Sequence, residues 1–234
     1  MVINLTFNND CFDYYVGNYN TESRFLYLKY PCIEEQTEKC WEKNIMDMNE
    51  KYPEYNILQN TEILFLYTDS YFSFPQIFLK FINLKKLEIK GSRWWYLNCN
   101  QIPVTIEHLI LIEHTNLKND VMKGSESLIN LHTLELDASP FLENCNFNKY
   151  YTFYGEINNE FYNNIFDYDD IYPIPDIGNL KNIFFHIYGT GYDDIIDYDY
   201  YNIIINHKLF SNIKNRIKKI YTEINNKYII ITLD

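Results

Sequence analysis

The chain has 234 residues, with 20 Lys and Arg against 32 Asp and Glu and a net charge of −12. Such a surface repels a phosphate backbone on average, so nucleic-acid binding is not expected. Hydrophobic residues make up 47%, which places the chain among globular rather than disordered proteins.

Within that envelope the usage is skewed. The 23 Tyr, 16 Phe and 30 Asn stand against a single Ala, Ala138. Asn, Tyr, Ile and Lys are written by A/T-rich codons, so Ile, Tyr and Phe are to be expected where other proteins carry Leu. The start, MVINLTFNNDCFDYY, shows no basic segment followed by an apolar run, so no secretory signal is expected. No apolar run is long enough to span a bilayer. Cys11, Cys32, Cys40, Cys99 and Cys145 are odd in number and contain no CxxC pair. A disulfide framework and a zinc site both require paired spacing, so the reading is reduced thiols in a cytoplasmic protein.

In chain order, SRFLYLKYP (23–31) reads as a strand. Residues 33–51 place Ile33, Thr37, Trp41, Ile45 and Met48 near helical spacing, which predicts an amphipathic helix. Four segments then look alike: FINLKKLEIKGS (81–92), PVTIEHLILIEHT (103–115), SLINLHTLELDAS (127–139) and IGNLKNIFFHIYG (177–189). Each follows LxxLxL with Ile or Phe allowed for Leu: Leu84, Leu87 and Ile89; Ile106, Leu109 and Leu111; Leu131, Leu134 and Leu136; Leu180, Ile183 and Phe185. Leu64 and Leu66 fill the last two slots of an earlier unit. Leu64, Leu87, Leu109 and Leu134 recur at intervals of about 22–25 residues, and Ile183 follows at about twice that interval. The intervening stretches FSFPQIFLKF (72–81) and NDVMKGSESL (119–128) are expected to return the chain as short helices or irregular turns. The stretch 143–176 shows no clean unit and is read as either a degenerate repeat or an insertion. HKLFSNIKNRIKKIYTEI places Leu209 or Phe210, Ile213, Ile217 and Ile220 at helical spacing and is predicted helical. NKYIIITLD is predicted as a final strand.

A second feature accompanies the spacing. After each predicted strand comes a small or polar residue and then an apolar one: Asp69 and Phe72, Ser92 and Trp95, His114 and Leu117, Ser139 and Leu142. The last unit, with Tyr188 and Gly191, departs from this. The pattern resembles that of leucine-rich-repeat proteins over about 60–190, and the composition is similar to the gene families of A/T-rich large DNA viruses or protists that carry such repeats. The resemblance implies an α/β leucine-rich-repeat solenoid: a parallel β-sheet on the concave face, an irregular or short helical convex side, and helical flanks. Residues 1–59 and 191–234 would then cap a 60–190 solenoid. The family places Asn or Cys at the small polar slot, where this chain has Asp, Ser, His and Ser. An F-box start is absent from the first 50 residues and is not carried over.

Such a ladder exposes the unpatterned strand residues in rows. One row is Glu62, Lys85, Glu107, His132, Lys181; the next Ile63, Lys86, His108, Thr133, Asn182; the third Phe65, Glu88, Ile110, Glu135, Phe184; the fourth Tyr67, Lys90, Ile112, Asp137, His186. Lysines in one unit beside acids in its neighbours suggest cross-strand ion pairs. Apolar groups rimmed by charge suit a partner surface. The candidate partner-binding residues are Phe65, Tyr67, Lys86, Glu88, Lys90, His108, Ile110, Ile112, His132, Glu135, Asp137 and Phe184, against the plainer reading of a solvated sheet.

Other chemistry is thin. The acidic runs FDYDD (166–170) and YDDIIDYDYY (192–201) lack a calcium-loop pattern and read as solvated loops. The basic residues Lys208, Lys214, Arg216, Lys218 and Lys219 read as one face of a capping helix rather than a membrane anchor. His108 and His132 are candidate neighbours, but two histidines make a weak metal site. No HExxH, GxSxG or GxGxxG occurs. No catalytic constellation, cofactor, metal or small-molecule substrate is therefore expected. The leading expectation is a non-catalytic module that binds a protein partner, with a host-directed adaptor as the role the resemblance implies. The alternatives are a structural subunit and, last, a small enzyme of unrecognised type.

Overall fold

The computed structural model describes residues 2–9, 12–30, 38–68, 72–73, 76–90, 95–96, 99–112, 124–137, 173–186, 206, 208–223 and 228–234. β1 (Val2–Asn9) and β2 (Phe12–Asn20) form an antiparallel hairpin, and β2 pairs antiparallel with β3 (Phe25–Tyr30). At β3 the pairing changes sense. β4 (Ile63–Thr68), β6 (Lys86–Lys90), β8 (His108–Ile112), β9 (Thr133–Asp137) and β10 (Asn182–His186) follow, each parallel to the strand before it. β12 (Tyr228–Leu233) pairs antiparallel with β10, and β11 (Ile217–Glu223) takes the outer edge beyond it. The result is an α/β chain built on one open sheet of 10 strands, parallel through the middle and antiparallel at both ends. Two return segments add a small parallel pair, β5 (Phe72–Ser73) with β7 (Trp95–Tyr96).

The alternation in the sequence explains the layering, because successive side chains of a strand point to opposite faces. Leu64, Leu66, Leu87, Ile89, Leu109, Leu111, Leu134, Leu136, Ile183 and Phe185 are all buried in one core cluster. They stack in register: Leu64 with Leu87, Leu87 with Leu109, Leu109 with Leu134, and Leu134 with Ile183. β3 extends the same ridge with Leu26 and Leu28. The first apolar residue of each motif, Leu84, Ile106, Leu131 or Leu180, is also fully buried. In the β4 unit that slot holds Thr61. It is buried too, and its hydroxyl donates to the Ile57 carbonyl at 2.7 Å, which satisfies the polar group an apolar site would otherwise orphan. The opposite wall comes from the return segments, with Ile57, Ile77, Phe78, Phe81, Cys99, Ile102, Leu128, Ile174 and Ile177. Cys99 is sealed there, and burial, with the nearby Glu126 charge, pushes its thiol up to about 12.

β9 and β10 are direct hydrogen-bonded neighbours. No strand stands between them in the sheet, although residues 138–172 do in sequence.

Two repeating sets of hydrogen bonds tie the units together. The carbonyls of Arg24, Glu62, Lys85, Glu107 and His132 each accept two consecutive N–H groups from the next unit. Just before the motif's first apolar residue, Asn83, Asn130 and Asn179 donate their side-chain amides to the carbonyls of Gln59, Val104 and Ile129 at 2.7–2.9 Å. Thr105 does the equivalent to Leu84 at 2.6 Å. The slot residues Asp69, Ser92, His114 and Ser139 lie outside the described residues.

The predicted N-terminal helix is present as α1 (Glu38–Lys51), with Ile45 and Met48 buried and Asp47 and Glu50 exposed. Ile33 and Thr37 lie outside the described residues. The strand predicted at 23–31 is β3, whereas the β1–β2 hairpin before it was not expected. At the other end the predicted helix over 207–224 is overturned. Lys208–Phe210 and Lys214–Arg216 are 3-10 turns, and Ile217–Glu223 is the strand β11. Phe210 and Ile213 are buried by the turns, and Ile217 and Ile220 pack against the core from the strand. An i, i+3, i+4, i+7 spacing thus arises without a helix, because β12 offers β11 an edge and β-branched Ile suits it. Lys218 and Lys219 consequently stand on an edge strand, where charge discourages further pairing. Arg216 locks this end to the last parallel unit. Its guanidinium reaches Asp176 Oδ1 at 2.6 Å, the carbonyls of Ile177 and Leu180 at 2.8 Å, and the Asp234 carbonyl at 2.8 Å. No helix among the described residues is long and apolar enough to cross a membrane.

Candidate functional site: the open face of the sheet

Hiding the aliphatic ridge leaves the intervening strand residues on the other face. The observed register brings the expected rows together. Lys86 stands opposite His108, His108 opposite Thr133, and Thr133 opposite Asn182. Phe65, Glu88, Ile110, Glu135 and Phe184 form the next row, and Tyr67, Lys90 and Ile112 run beside it, with Asp137 opposite His186. The rows extend further than the sequence suggested, through Asn18 and Tyr27 at one end and Ile230 and Tyr221 at the other.

The candidate residues do not share one environment. Phe65, Tyr67, Lys86, Glu88, Lys90, His108, Glu135 and Phe184 are half-buried. His132 is exposed but sits before β9, and its carbonyl serves the backbone ladder. The Asp137 side chain lies outside the described residues. Ile110 and Ile112, expected to be exposed, are buried, at 5% and 8% relative exposure. Both point away from the core cluster, and Ile110 is flanked in the ladder by the longer Glu88 and Glu135. They contribute to the packing of this face rather than to an accessible surface.

Two aromatic patches remain. Tyr27 stacks on Phe65 with ring centroids 4.9 Å apart, and a shallow cavity lined by Asn18, Asn20, Phe25 and Tyr27 adjoins them. Across the sheet Phe184 meets Tyr228 edge-on at 6.1 Å. Burial raises the Tyr228 phenol above its ordinary value, and the charges of Glu135, Glu223 and Glu88 add to the shift.

Between the patches, the polar contacts among the described residues include one across strands that joins an acid to histidines rather than to lysine. Lys86 reaches Glu88 on its own strand, at 3.5 Å. That cross-strand contact is a carboxylate between two imidazoles. His108 Nε2 lies 2.6 Å from one oxygen of Glu135, and His186 Nε2 lies 2.7 Å from the other. Glu135 is 15% exposed. Burial alone would raise its carboxyl, but the hydrogen bonds and charge of the two histidines outweigh it and hold the group at about 2. His132, the neighbour expected for His108, takes no part; Thr133 occupies the register position. Among the described residues no group of three metal-ligating side chains is arranged to hold a metal ion.

A further feature was missed in the sequence. Ile82, Val104 and Ile129 occupy the same slot of three successive units, two residues before the motif's first apolar position, and are 55%, 52% and 62% exposed. The recurring dipeptide before Lxx, IN in two units, marks the slot: its Asn ties the turns and its Ile is left outside.

No protein-family model, curated protein or solved structure matches the chain.

Proposed function

We propose that the chain is a leucine-rich-repeat-type solenoid whose open, concave sheet face binds a protein partner without catalysis. The observation that carries this is the face itself. In-register parallel strands present half-buried aromatics, Tyr27 with Phe65 and Phe184 with Tyr228, around charged groups, the composition of partner surfaces. Open sheet faces between stacked repeats are how such architectures bind. A host-directed adaptor is the natural role for a chain of this composition.

The test replaces Phe65 and Tyr67 with Ser in the full chain. Thermal unfolding stays within a few degrees of the parent, while recovery of a native-cell partner by the double variant falls at least tenfold. Unchanged recovery with folding intact contradicts the proposal.

One observation favours a second reading, a structural subunit. The exposed stripe of Ile82, Val104 and Ile129 offers a flat aliphatic strip suited to permanent assembly. A stable assembly that becomes monomeric in Ile82→Ser/Ile129→Ser would select it.

A further inference from the structure

Three side chains from three adjacent strands meet on the open face: His108 from β8, Glu135 from β9 and His186 from β10. The contacts run diagonally. Each histidine is displaced by two residues from the position opposite Glu135, one toward either end of the strands. Each carboxylate oxygen faces the Nε2 of a different ring, at 2.6 and 2.7 Å. An ionised carboxylate only accepts hydrogen bonds, whereas a neutral imidazole has one N–H donor and one bare nitrogen. Glu135 is ionised throughout the neutral range. The nitrogen facing it must therefore carry a hydrogen in either charge state of the ring.

We propose that Glu135 fixes both His108 and His186 as Nε2–H tautomers, making the trio a hydrogen-bonded clamp across β8, β9 and β10. Glu135 is the ionised acceptor of both bonds, so each is charge-assisted whatever the charge of its ring.

The surroundings contribute charges of both signs. Lys86 on β6 stands opposite His108, with Glu88 beside it; Lys90 follows on the same strand. Asp137 on β9 and Tyr228 on β12 stand opposite His186, and the Tyr228 ring meets His186 edge-on at 4.6 Å. Glu223 on β11 stands opposite Tyr228. The carboxylate that faces both Nε2 atoms is that of Glu135. The inference concerns the chain alone and holds whether or not the face has a partner.

Long-range 15N–1H NMR on the full chain with 15N-labelled histidine tests it, the single variants His108→Gln and His186→Gln assigning the signals. At alkaline pH both rings are expected to show a pyrrole-type Nε2 and a pyridine-type Nδ1. An Nδ1–H tautomer at either ring overturns the proposal. Glu135→Gln sharpens it. A glutamine amide accepts through its oxygen but donates through its nitrogen, so one ring is expected to switch to the Nδ1–H tautomer. Two rings that keep their parent tautomers in a folded Glu135→Gln variant also overturn it.

Discussion

The middle of the sheet and its C-terminal end carry similar apolar spacing but reached their structures differently. From β4 to β10 the same motif occurs in successive units, and each repetition reports the phase of the others. Leu87, Leu109, Leu134 and Ile183 lie opposite one another. At 208–234 there is one copy of each segment, and Phe210, Ile213, Ile217 and Ile220 read as a helix although two turns and a strand bury them. Periodicity within one segment leaves helix and strand to be decided by what lies beside it; periodicity between segments identifies neighbours and so decides the matter.

The two regions should also fail differently when perturbed. Leu134→Ala, in the middle of the ridge, is expected to cost ~2–5 kcal/mol in denaturant unfolding, as core truncations do. Ile220→Ala, half-buried on the outer strand, is expected to cost less than half as much. Equal losses would mean that the end is as tightly packed as the middle.

Acid provides the next contrast. Glu135 is held at about 2, below its ordinary 4.5, so its contribution to stability is complete above pH 4.5 and disappears as pH falls toward 2. The expected loss is on the order of 3 kcal/mol. Glu135→Gln should flatten that part of the stability–pH curve, and an unchanged acid branch would remove the clamp from the account.

At the end of the sheet, Arg216→Lys replaces a fork reaching several oxygens by a single ammonium. It should cost about 1–3 kcal/mol and loosen β11 and β12 in hydrogen exchange before β6 and β8 are affected. The smallest effect is expected for Asn130→Ala, which removes one bond between turns, about 0.5–1.5 kcal/mol in thermal unfolding.

Much of the ladder was legible in the chain because aliphatic side chains at fixed intervals have one economical arrangement, a stacked ridge. The open-face rows followed from the same register. Exposure along those rows did not. Ile110 and Ile112 are buried, Ile110 between the longer Glu88 and Glu135, and residue type and strand parity do not reveal neighbour height. The His108–Glu135–His186 contact was hidden because its partners sit on a diagonal rather than opposite each other. His132 belongs to the row of Glu107, and Thr133 stands opposite His108, so the two histidines do not pair. Asn83, Asn130 and Asn179 recur as an NL dipeptide, but the dipeptide does not say which carbonyl its amide reaches.

The central claim is the ladder, since the open face is only what the ridge leaves uncovered. Methyl-to-methyl NOEs in a chain labelled at Leu and Ile test it most directly. Leu109 should give cross-peaks to both Leu87 and Leu134, and Leu134 to Ile183, across the gap of residues 138–172. Cross-peaks from Leu134 to a residue within that gap in place of Ile183, or none among the four, would contradict it.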